Sequence, residues 1–293
     1  MRVLTVPNWS FGRDRDLLRV FENELAARDL RVHYLEGDID HNRTVTAFSG
    51  ELDHVFEALA AMSAEAFARI DLNRHLGVHP RIGALDVCPF VVLPEWSVDM
   101  AALLKRIEEF AGELAIQNDI PVFLYEKSER GRHEADLPAL RKGGFGGLLG
   151  RELNPDFGPK HAHPRLGVTI MGARDFLIAM NVNLRTDQAL VAKEIARRIR
   201  TLRLDGDERF LGVRALGFPL NSRGLSQVSL NLTLPDLTSP DAIVDWITRE
   251  AARADIGVHG TELIGVIRQR DLKGATRLPV RPEQVVDQIA HEV

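Results

Sequence analysis

Short β-type runs alternate with amphipathic helical stretches along the chain, and this alternation limits the folds that it can adopt. The pattern is clearest in residues 178–184 and 226–234, where apolar side chains occupy every second position, as in half-buried strands. The other elements predicted in this half are helices near 186–202, 239–254 and 281–291 and strands near 210–216 and 260–267. The order β-α-β-β-α-β is typical of a ferredoxin-like lobe, in which helices cover one face of a sheet.

The first half of the chain opens with the same order of elements. A strand at 2–7 precedes a helix with apolar residues at Leu17, Phe21 and Leu25. The elements predicted next are strands at 31–35, 44–48 and 85–93, a helix from Leu52, and a helix from Ser97, as N-cap, to Gln117. The acidic run EGDIDHN, residues 36–42, is expected to form a loop between two of these strands.

These patterns predict an α/β (α+β) fold with two ferredoxin-like lobes, each a mixed β-sheet with helices on one face. We place the boundary near Phe176, which gives an N-terminal subdomain of residues 1–176 and a C-terminal subdomain of residues 177–293. Two such sheets can face each other and leave a cleft for a ligand.

Charge and cysteine content narrow the class of function. The 293 residues include 37 basic and 42 acidic side chains, a net charge of −5, which argues against a general nucleic-acid coat. The single cysteine, Cys88, excludes an internal disulfide and favours a reducing compartment. The N-terminus turns polar after seven residues, so no signal peptide is expected, and no window approaches the run of about 20 apolar residues that a membrane span needs. We therefore expect a cytoplasmic protein that binds neither nucleic acid nor membrane.

The segment RHLGVHPRIGALDVCPF, residues 74–90, carries the most chemical information. His75 and His79 are four residues apart, but Gly77 and Pro80 disfavour a helix that would present both to a metal ion. No carboxylate or histidine motif completes a zinc site, so no metal is expected. His79 is then either a turn histidine with satisfied hydrogen bonds or a proton shuttle that works near neutral pH.

Two other segments are rich in polar and turn-forming residues. In the first, residues 36–45, Asp38, Asp40 and His41 either polarise another histidine or hydrogen-bond to turn backbone. The second, NPDFGPKHAHPRLGVT at residues 154–169, suits a rigid loop that contacts a ligand. Metal binding by its two histidines is a weaker alternative, because a single H-x-H is not specific.

Seven motifs together resemble the glutamate formimidoyltransferase family, also called formiminotransferase, which forms the N-terminal half of formimidoyltransferase-cyclodeaminase. They are VPNWSFG at 6–12, DHNRTV at 40–45, HPRIGALDVCPF at 79–90, PDFGP at 155–159, GARDFLIAMNVNL at 172–184, LSQVSLNL at 225–232 and ELIGVI at 262–267. The resemblance covers almost the whole chain, and no cyclodeaminase domain is expected.

The resemblance implies transfer of a formimidoyl group between N-formimidoyl-L-glutamate and tetrahydrofolate, a step in histidine breakdown. It implies His79 as general acid/base, tetrahydrofolate as co-substrate, no metal, and a homodimer with folate in a tunnel between the two sheets. Both substrates carry carboxylates, which favours guanidinium groups at the site, although a solvated surface role is the alternative for each arginine. The candidate substrate-binding residues are Asp38, Asp40, Asn42, Arg43, Arg81, Gly158, Pro159, Lys160, His161, Ala162, His163, Pro164, Arg165, Leu166 and Gly167.

Two positions depart from the family pattern. Phe11 and Val78 stand where the family usually has glutamates. These departures keep alternatives open: an enzyme that acts on another one-carbon folate, such as 5-formyltetrahydrofolate, or a folate-binding protein with little turnover. A metal-dependent hydrolase that uses the histidines is a third alternative.

Overall fold

The computed structural model describes residues 1–132 and 140–287. The chain forms two compact units, Met1–Asp175 and Phe176–Val293. Each unit contains its own β-sheet and its own helices, so the predicted mixed α/β class is confirmed.

The elements of the first unit are β1 Arg2–Thr5, β2 Asn8–Trp9, α1 Arg15–Ala26, β3 Leu30–Asp38, β4 Arg43–Glu51, α2 Leu52–Arg69, β5 Leu85–Val91, α3 Met100–Asn118, β6 Val122–Leu124 and β7 Thr169–Ala173. Its sheet has seven strands in the order β3-β4-β1/β2-β5-β7-β6. Strands β1 and β2 both lie between β4 and β5, and Pro7 separates them. The pairs β5–β7 and β7–β6 are parallel, whereas the other pairs are antiparallel.

Helix α1 shows how the sequence sets the core of this unit. The side chain of Asp14 accepts hydrogen bonds from two first-turn amides, those of Asp16 and Leu17, and so caps the helix. The helix then buries Leu17, Phe21 and Leu25. Phe21 meets the Trp9 ring edge-to-face at 4.8 Å between centroids, which joins the helix to the strand next to the candidate site.

Two local predictions in this unit are wrong. Residues 36–38 do not belong to a loop, because β3 continues to Asp38 and leaves only residues 39–42 as the connection to β4. The N-cap of α3 is Asp99 rather than Ser97, because the Asp99 carboxylate accepts the amide hydrogens of Ala101 and Ala102. A carboxylate at this position also interacts favourably with the positive end of the helix dipole.

The elements of the second unit include β8 Ile178–Leu184, α4 Ala189–Leu204, β9 Val213–Leu220, β10 Leu225–Leu232, α5 Pro240–Ala252 and β11 Val258–Ile264. Its four-stranded antiparallel sheet has the order β11-β8-β10-β9, which is the order of the ferredoxin-like lobe that the sequence predicts. Its helices pack against strands of this sheet, and Gly217 allows α4 to approach closely: a Cβ there would lie 2.3 Å from the Lys193 amide nitrogen.

The predicted last helix at 281–291 is wrong over its described part. Residues 282–284 form a short 3-10 turn, and the strand β13 Val285–Val286 pairs in parallel with β12 Ile267–Arg268. The buried Gln284 donates to the carbonyls of Leu263 and Gly265 and so ties the segment to β11. Residues 288–291 of the predicted helix lie outside the described residues.

Candidate active site

The turn between β3 and β4 is fixed by side chains that hydrogen-bond to backbone. The Asp38 carboxylate accepts the amide hydrogens of Asp40 and His41, at 2.8 and 2.7 Å. Asn42 adopts a left-handed conformation with φ of 46°, and its side-chain oxygen accepts the Gly12 amide hydrogen at 2.9 Å. Three of the predicted substrate-binding residues therefore build one rigid turn.

The segment that carries His79 packs against this turn. The amide of Val78 donates to the Asp40 carbonyl at 3.1 Å, and the Asn42 side chain donates to the Leu76 carbonyl at 3.1 Å. The approach is so close at Gly77 that a Cβ there would lie 2.3 Å from the His41 carbonyl oxygen. Only glycine leaves room for this contact, which brings together two segments that are far apart in sequence.

Arg81 holds the same two segments together. Its Nη2 donates to the carbonyls of His79, at 2.6 Å, and His41, at 3.3 Å. Its Nη1 lies 2.6 Å from Nε2 of His75, and burial lowers the pKa of Arg81 to about 10. These contacts organise the loop, and binding of a substrate carboxylate by Arg81 stays a prediction.

The imidazole of His79 is partly buried and has two competing partners at Nδ1. The Nη1 atom of Arg43 lies 2.7 Å away and the Pro80 carbonyl oxygen 2.8 Å away. Nδ1 accepts from the arginine in one tautomer and donates to the carbonyl in the other. In the second tautomer Nε2 keeps its lone pair, so the ring can accept a proton there.

The surroundings of His79 favour its neutral form. Burial lowers its pKa well below the ordinary value of 6.5, and the positive charge of Arg43 and the ring of His41 lower it further. The His41 ring is close, with centroids 5.8 Å apart. At neutral pH the His79 ring is therefore a base rather than a cation.

Arg43 is fixed at the start of β4. Its Nε donates to the side-chain oxygen of Asn8 at 3.0 Å, and its Nη1 lies 3.4 Å from Oδ2 of Asp86. Burial lowers the pKa of Arg43 to about 10, and the Asp86 carboxylate opposes that shift. The guanidinium is still a cation at neutral pH, and it faces the imidazole.

Two charged residues of this cluster, Asp86 and Arg141, were not predicted from the sequence. Asp86 is buried in β5, and its Oδ1 accepts the Ile82 amide hydrogen at 2.9 Å. Its Oδ2 has no hydrogen-bond partner in the described part of the chain and lies between Arg43 and Arg141, at 3.4 and 3.5 Å. The signal in the sequence was an acid inside the otherwise apolar run LDVCPFV.

The predicted folate loop, residues 158–167, is anchored at both ends. A Cβ on Gly158 would lie 2.2 Å from the Ile120 carbonyl oxygen, and one on Gly167 would lie 1.9 Å from that of Ile82. Both glycines have positive φ, 85° and 74°. The close contact between Gly167 and Ile82 places the end of this loop against the residues that join His79 to β5.

His163 caps the turn at the end of the loop. Its Nδ1 accepts the amide hydrogens of Arg165 and Leu166, at 3.1 and 3.0 Å, so the ring proton sits on Nε2. Burial lowers the pKa of His163 below its ordinary value, and the charge of Arg165 adds to the effect.

The other charged and imidazole side chains of the loop contact protein groups of the first unit. Arg165 donates to the Ile70 carbonyl at 2.7 Å. Lys160 pairs with Glu152 at 3.7 Å, and His161 lies 3.0 Å from the Arg151 carbonyl. Substrate contacts by these residues, and by Pro159, Ala162 and Pro164, stay predictions.

A separate polar network lies on the sheet of the second unit. Glu262 on β11 accepts hydrogen bonds from Asn181 and Asn183 on β8, at 3.0 and 2.8 Å. Arg223 and Gln227 donate to the same carboxylate at 2.8 and 3.3 Å. All except Arg223 lie in motifs that carry the family resemblance, but no role was predicted for any of them from the sequence.

Neither a metal site nor a membrane span appears in the described ranges. No group of three or more His, Cys, Asp or Glu side chains at 1–132 and 140–287 could hold a metal ion. Over the same residues, no helix has the length and apolar character needed to cross a membrane.

Comparison with known proteins identifies the family. A family model described as "Formiminotransferase domain, N-terminal subdomain" matches residues 2–174, and one described as "Formiminotransferase domain" matches residues 179–292. The chain belongs to the formiminotransferase family. The resemblance predicted from the seven motifs is confirmed.

Relatives in this family match the chain over most of its length. The glutamate formimidoyltransferase of Thermoplasma acidophilum is 34% identical over 274 residues, which cover 91% of the chain and 88% of the relative. That of Streptococcus pyogenes is 33% identical over 89% of the chain and 87% of the relative. The formimidoyltransferase-cyclodeaminase of Sus scrofa is 34% identical over 92% of the chain but only 51% of the relative. The chain thus spans about half the length of this bifunctional relative.

Proposed function

We propose that the chain transfers a formimidoyl group between N-formimidoyl-L-glutamate and tetrahydrofolate, giving 5-formimidoyltetrahydrofolate and L-glutamate. The observation that carries the proposal is the match with two glutamate formimidoyltransferases over nearly nine tenths of their lengths. The same chemistry makes the chain a one-carbon transferase in histidine breakdown, with tetrahydrofolate as co-substrate and no metal.

His79 is the proposed general acid/base. The formimidoyl carbon is an electrophile, and the nucleophile is a secondary amine nitrogen of the pterin. A neutral imidazole can take the proton from that nitrogen as the bond to carbon forms, then give a proton to the departing glutamate amine. The Pro80 carbonyl can stabilise the transient imidazolium through Nδ1–H, whereas the nearby charge of Arg43 promotes return of the proton.

The substrates are proposed to bind along the predicted residues. The turn of Asp38, Asp40 and Asn42 borders the His79 segment, and Arg43 and Arg81 supply positive charge there. Both substrates carry carboxylates, which guanidinium groups bind well. Residues 158–167 form the proposed folate-contacting loop, and its glycine anchors support a rigid binding surface.

An assay of the purified chain with both substrates tests the function and the role of His79. Formation of the folate product is followed by its absorbance after acidification. We expect activity in the wild type and a loss of about 10²- to 10⁴-fold in His79→Ala, since that is the usual contribution of a general acid/base. His259→Ala, which changes an exposed histidine on β11, is the matched control and should be as active as wild type. Full activity in His79→Ala would contradict the role of this residue but not the reaction.

A second candidate function is action on another one-carbon folate, such as 5-formyltetrahydrofolate. Phe11, at the position of a family glutamate, is buried and packs edge-to-face on Phe21 at 5.1 Å. A carboxylate is therefore absent where the family usually has one. Turnover of 5-formyltetrahydrofolate without turnover of formimidoylglutamate would favour this alternative, and folate binding without either turnover would favour a binding protein.

We also propose that the chain acts as a cytoplasmic homodimer that binds neither nucleic acid nor membrane, with subdomains at 1–176 and 177–293. The family resemblance and the single buried Cys88 support this view. Light scattering should give about twice the chain mass of 32.7 kDa. The activity should survive EDTA, and a loss that zinc restores would support the metal-dependent hydrolase instead.

A further inference from the structure

Arg141 is attached to the candidate active site through a buried carboxylate. Its Nη2 lies 3.5 Å from Oδ2 of Asp86, the oxygen that also faces Arg43. The side chain of Asp86 is 1% exposed and that of Arg141 is 35% exposed. One buried acid thus fixes two guanidinium groups, of which Arg141 is the one more open to solvent.

The backbone next to Arg141 also packs against the His79 segment. The Arg141 carbonyl accepts the Gly144 amide hydrogen at 3.0 Å, which forms a tight turn. A Cβ on Gly144 would lie 3.4 Å from the Arg81 carbonyl oxygen. Gly144 therefore contacts the backbone of the His79 segment, which brings Arg141 close to this segment.

One carboxylate serves two guanidinium groups in the trio of Asp86, Arg43 and Arg141. Asp86 carries one negative charge and faces two arginines at similar distances. Both Arg43 and Arg141 also act on His79 as positive charges that lower its pKa. A partly buried trio with two cations and one carboxylate favours binding of an anion at the more exposed cation, Arg141.

We propose that Arg141, positioned by Asp86, binds a carboxylate of the formimidoyl donor beside His79. This inference rests on the proposed function. In the donor, the α-carboxylate is attached to the carbon that carries the leaving amine nitrogen, so it must lie within a few bonds of the atoms that His79 serves. The carboxylates of folate lie at the far end of its aminobenzoyl group. A guanidinium in the His79 cluster therefore matches the donor better than the folate tail.

Steady-state kinetics of Arg141→Gln test this inference. The KM for N-formimidoyl-L-glutamate should rise about 10- to 100-fold, since a hydrogen bond between charged groups is lost. The KM for tetrahydrofolate should change little, whether the folate carries one or several glutamates. Lys142→Gln removes the neighbouring exposed cation and is the matched control, with both KM values as in wild type.

Donor analogues give a readout that a structural role would not change. The two analogues replace either the α-carboxylate or the side-chain carboxylate of the donor by an amide. The wild type should discriminate against the analogue that lacks the bound carboxylate, and Arg141→Gln should lose that discrimination. An unchanged donor KM, an equal rise of both KM values, or a rise only for polyglutamylated folate would each overturn the inference. A wild type that is inactive with this donor would instead refute the proposed function.

Asp86→Asn tests the positioning role. The amide keeps an oxygen to accept the Ile82 amide hydrogen but loses the charge that holds both arginines. We expect a higher donor KM, as in Arg141→Gln. The acidic limb of the pH profile should also move to lower pH, because the charges of Arg43 and Arg141 are less neutralised and lower the pKa of His79 further. A donor KM equal to that of wild type would contradict the role of Asp86.

Discussion

At the scale of single residues, the protonation of His79 is set by neighbours that lie far away in the sequence. Arg43 and the Pro80 carbonyl compete for Nδ1, and burial disfavours the imidazolium. A base whose pKa lies below neutral pH stays deprotonated under physiological conditions, and this suits the proposed removal of a proton from the pterin amine. The reactivity of this histidine thus depends on a cation from β4.

The pH profile of Arg43 variants tests this dependence. In wild type, kcat/KM should fall on the acid side as His79 becomes protonated, with a midpoint below 6.5. Arg43→Gln removes a positive charge that opposes protonation, so the pKa of His79 rises and the acidic limb moves to higher pH. Arg43→Lys keeps the charge and should keep the limb near its wild-type position. Equal shifts in both variants would show that the charge is not the cause.

At the scale of elements, the β3–β4 turn packs against the segment that carries His79. The turn itself is local, because the Asp38 carboxylate binds amides two and three residues ahead. Its partner, the His79 segment, requires a glycine at position 77 because the His41 carbonyl occupies the space of a side chain. The position of His79 therefore requires that residue 77 has no Cβ atom.

Gly77→Ala should separate these two segments. We expect a loss of about 10²-fold in kcat/KM, since misplacement by about 1 Å can have that effect. The free energy of unfolding should fall by about 1–3 kcal/mol, as in overpacked sites. Gly146→Ala is the control: nothing lies within 4 Å of a Cβ there, so both quantities should stay close to wild type. Activity assays and urea denaturation measure the two effects, and a fully active Gly77→Ala would contradict the close packing.

The polar network of the second sheet stabilises a carboxylate in a mostly buried position. Burial alone would raise the pKa of Glu262, but hydrogen bonds from Asn181 and Asn183 and the charge of Arg223 outweigh it and lower the pKa. A carboxyl group whose pKa is lower in the folded than in the unfolded state stabilises the folded state at pH values above its unfolded-state pKa. This stabilisation is lost as the pH falls through its folded-state pKa.

Glu262→Gln should therefore destabilise the protein in a pH-dependent way. We expect a loss of about 1–3 kcal/mol in the free energy of unfolding at pH 7, because several charge-assisted hydrogen bonds are removed. The difference from wild type should shrink as the pH falls below 4.5, the ordinary pKa of the carboxyl. Urea denaturation across this range measures it, with the exposed Glu208→Gln as control. A difference that does not vary with pH would exclude the ionised carboxylate as its source.

At the scale of the whole molecule, each unit has its own sheet and its own apolar core. The second unit buries the alternating residues of β8 and β10, among them Val182 and Leu230, together with Ile199 and Ile247 from its helices. A four-stranded sheet with two helices and such a core is of a size that folds independently.

A chain of residues 176–293 should therefore fold alone. We expect far-UV circular dichroism of a mixed α/β protein and a cooperative transition in urea. The absence of a cooperative transition, in a chain that remains soluble, would show that the second unit needs the first.

The sequence alone determined the class of fold, the order of elements in the ferredoxin-like sheet and the family, because the alternation of apolar residues and the seven motifs are local in the chain. It also pointed to His79, since a histidine followed by Pro-Arg is visible without a structure. Only the tertiary structure joined Asp86, Arg43 and Arg141 to that histidine, because their contacts cross up to 55 residues of chain. Residues 281–287 could not be predicted for the same reason. The contacts of Gln284 with β11, rather than helical periodicity, decide their conformation.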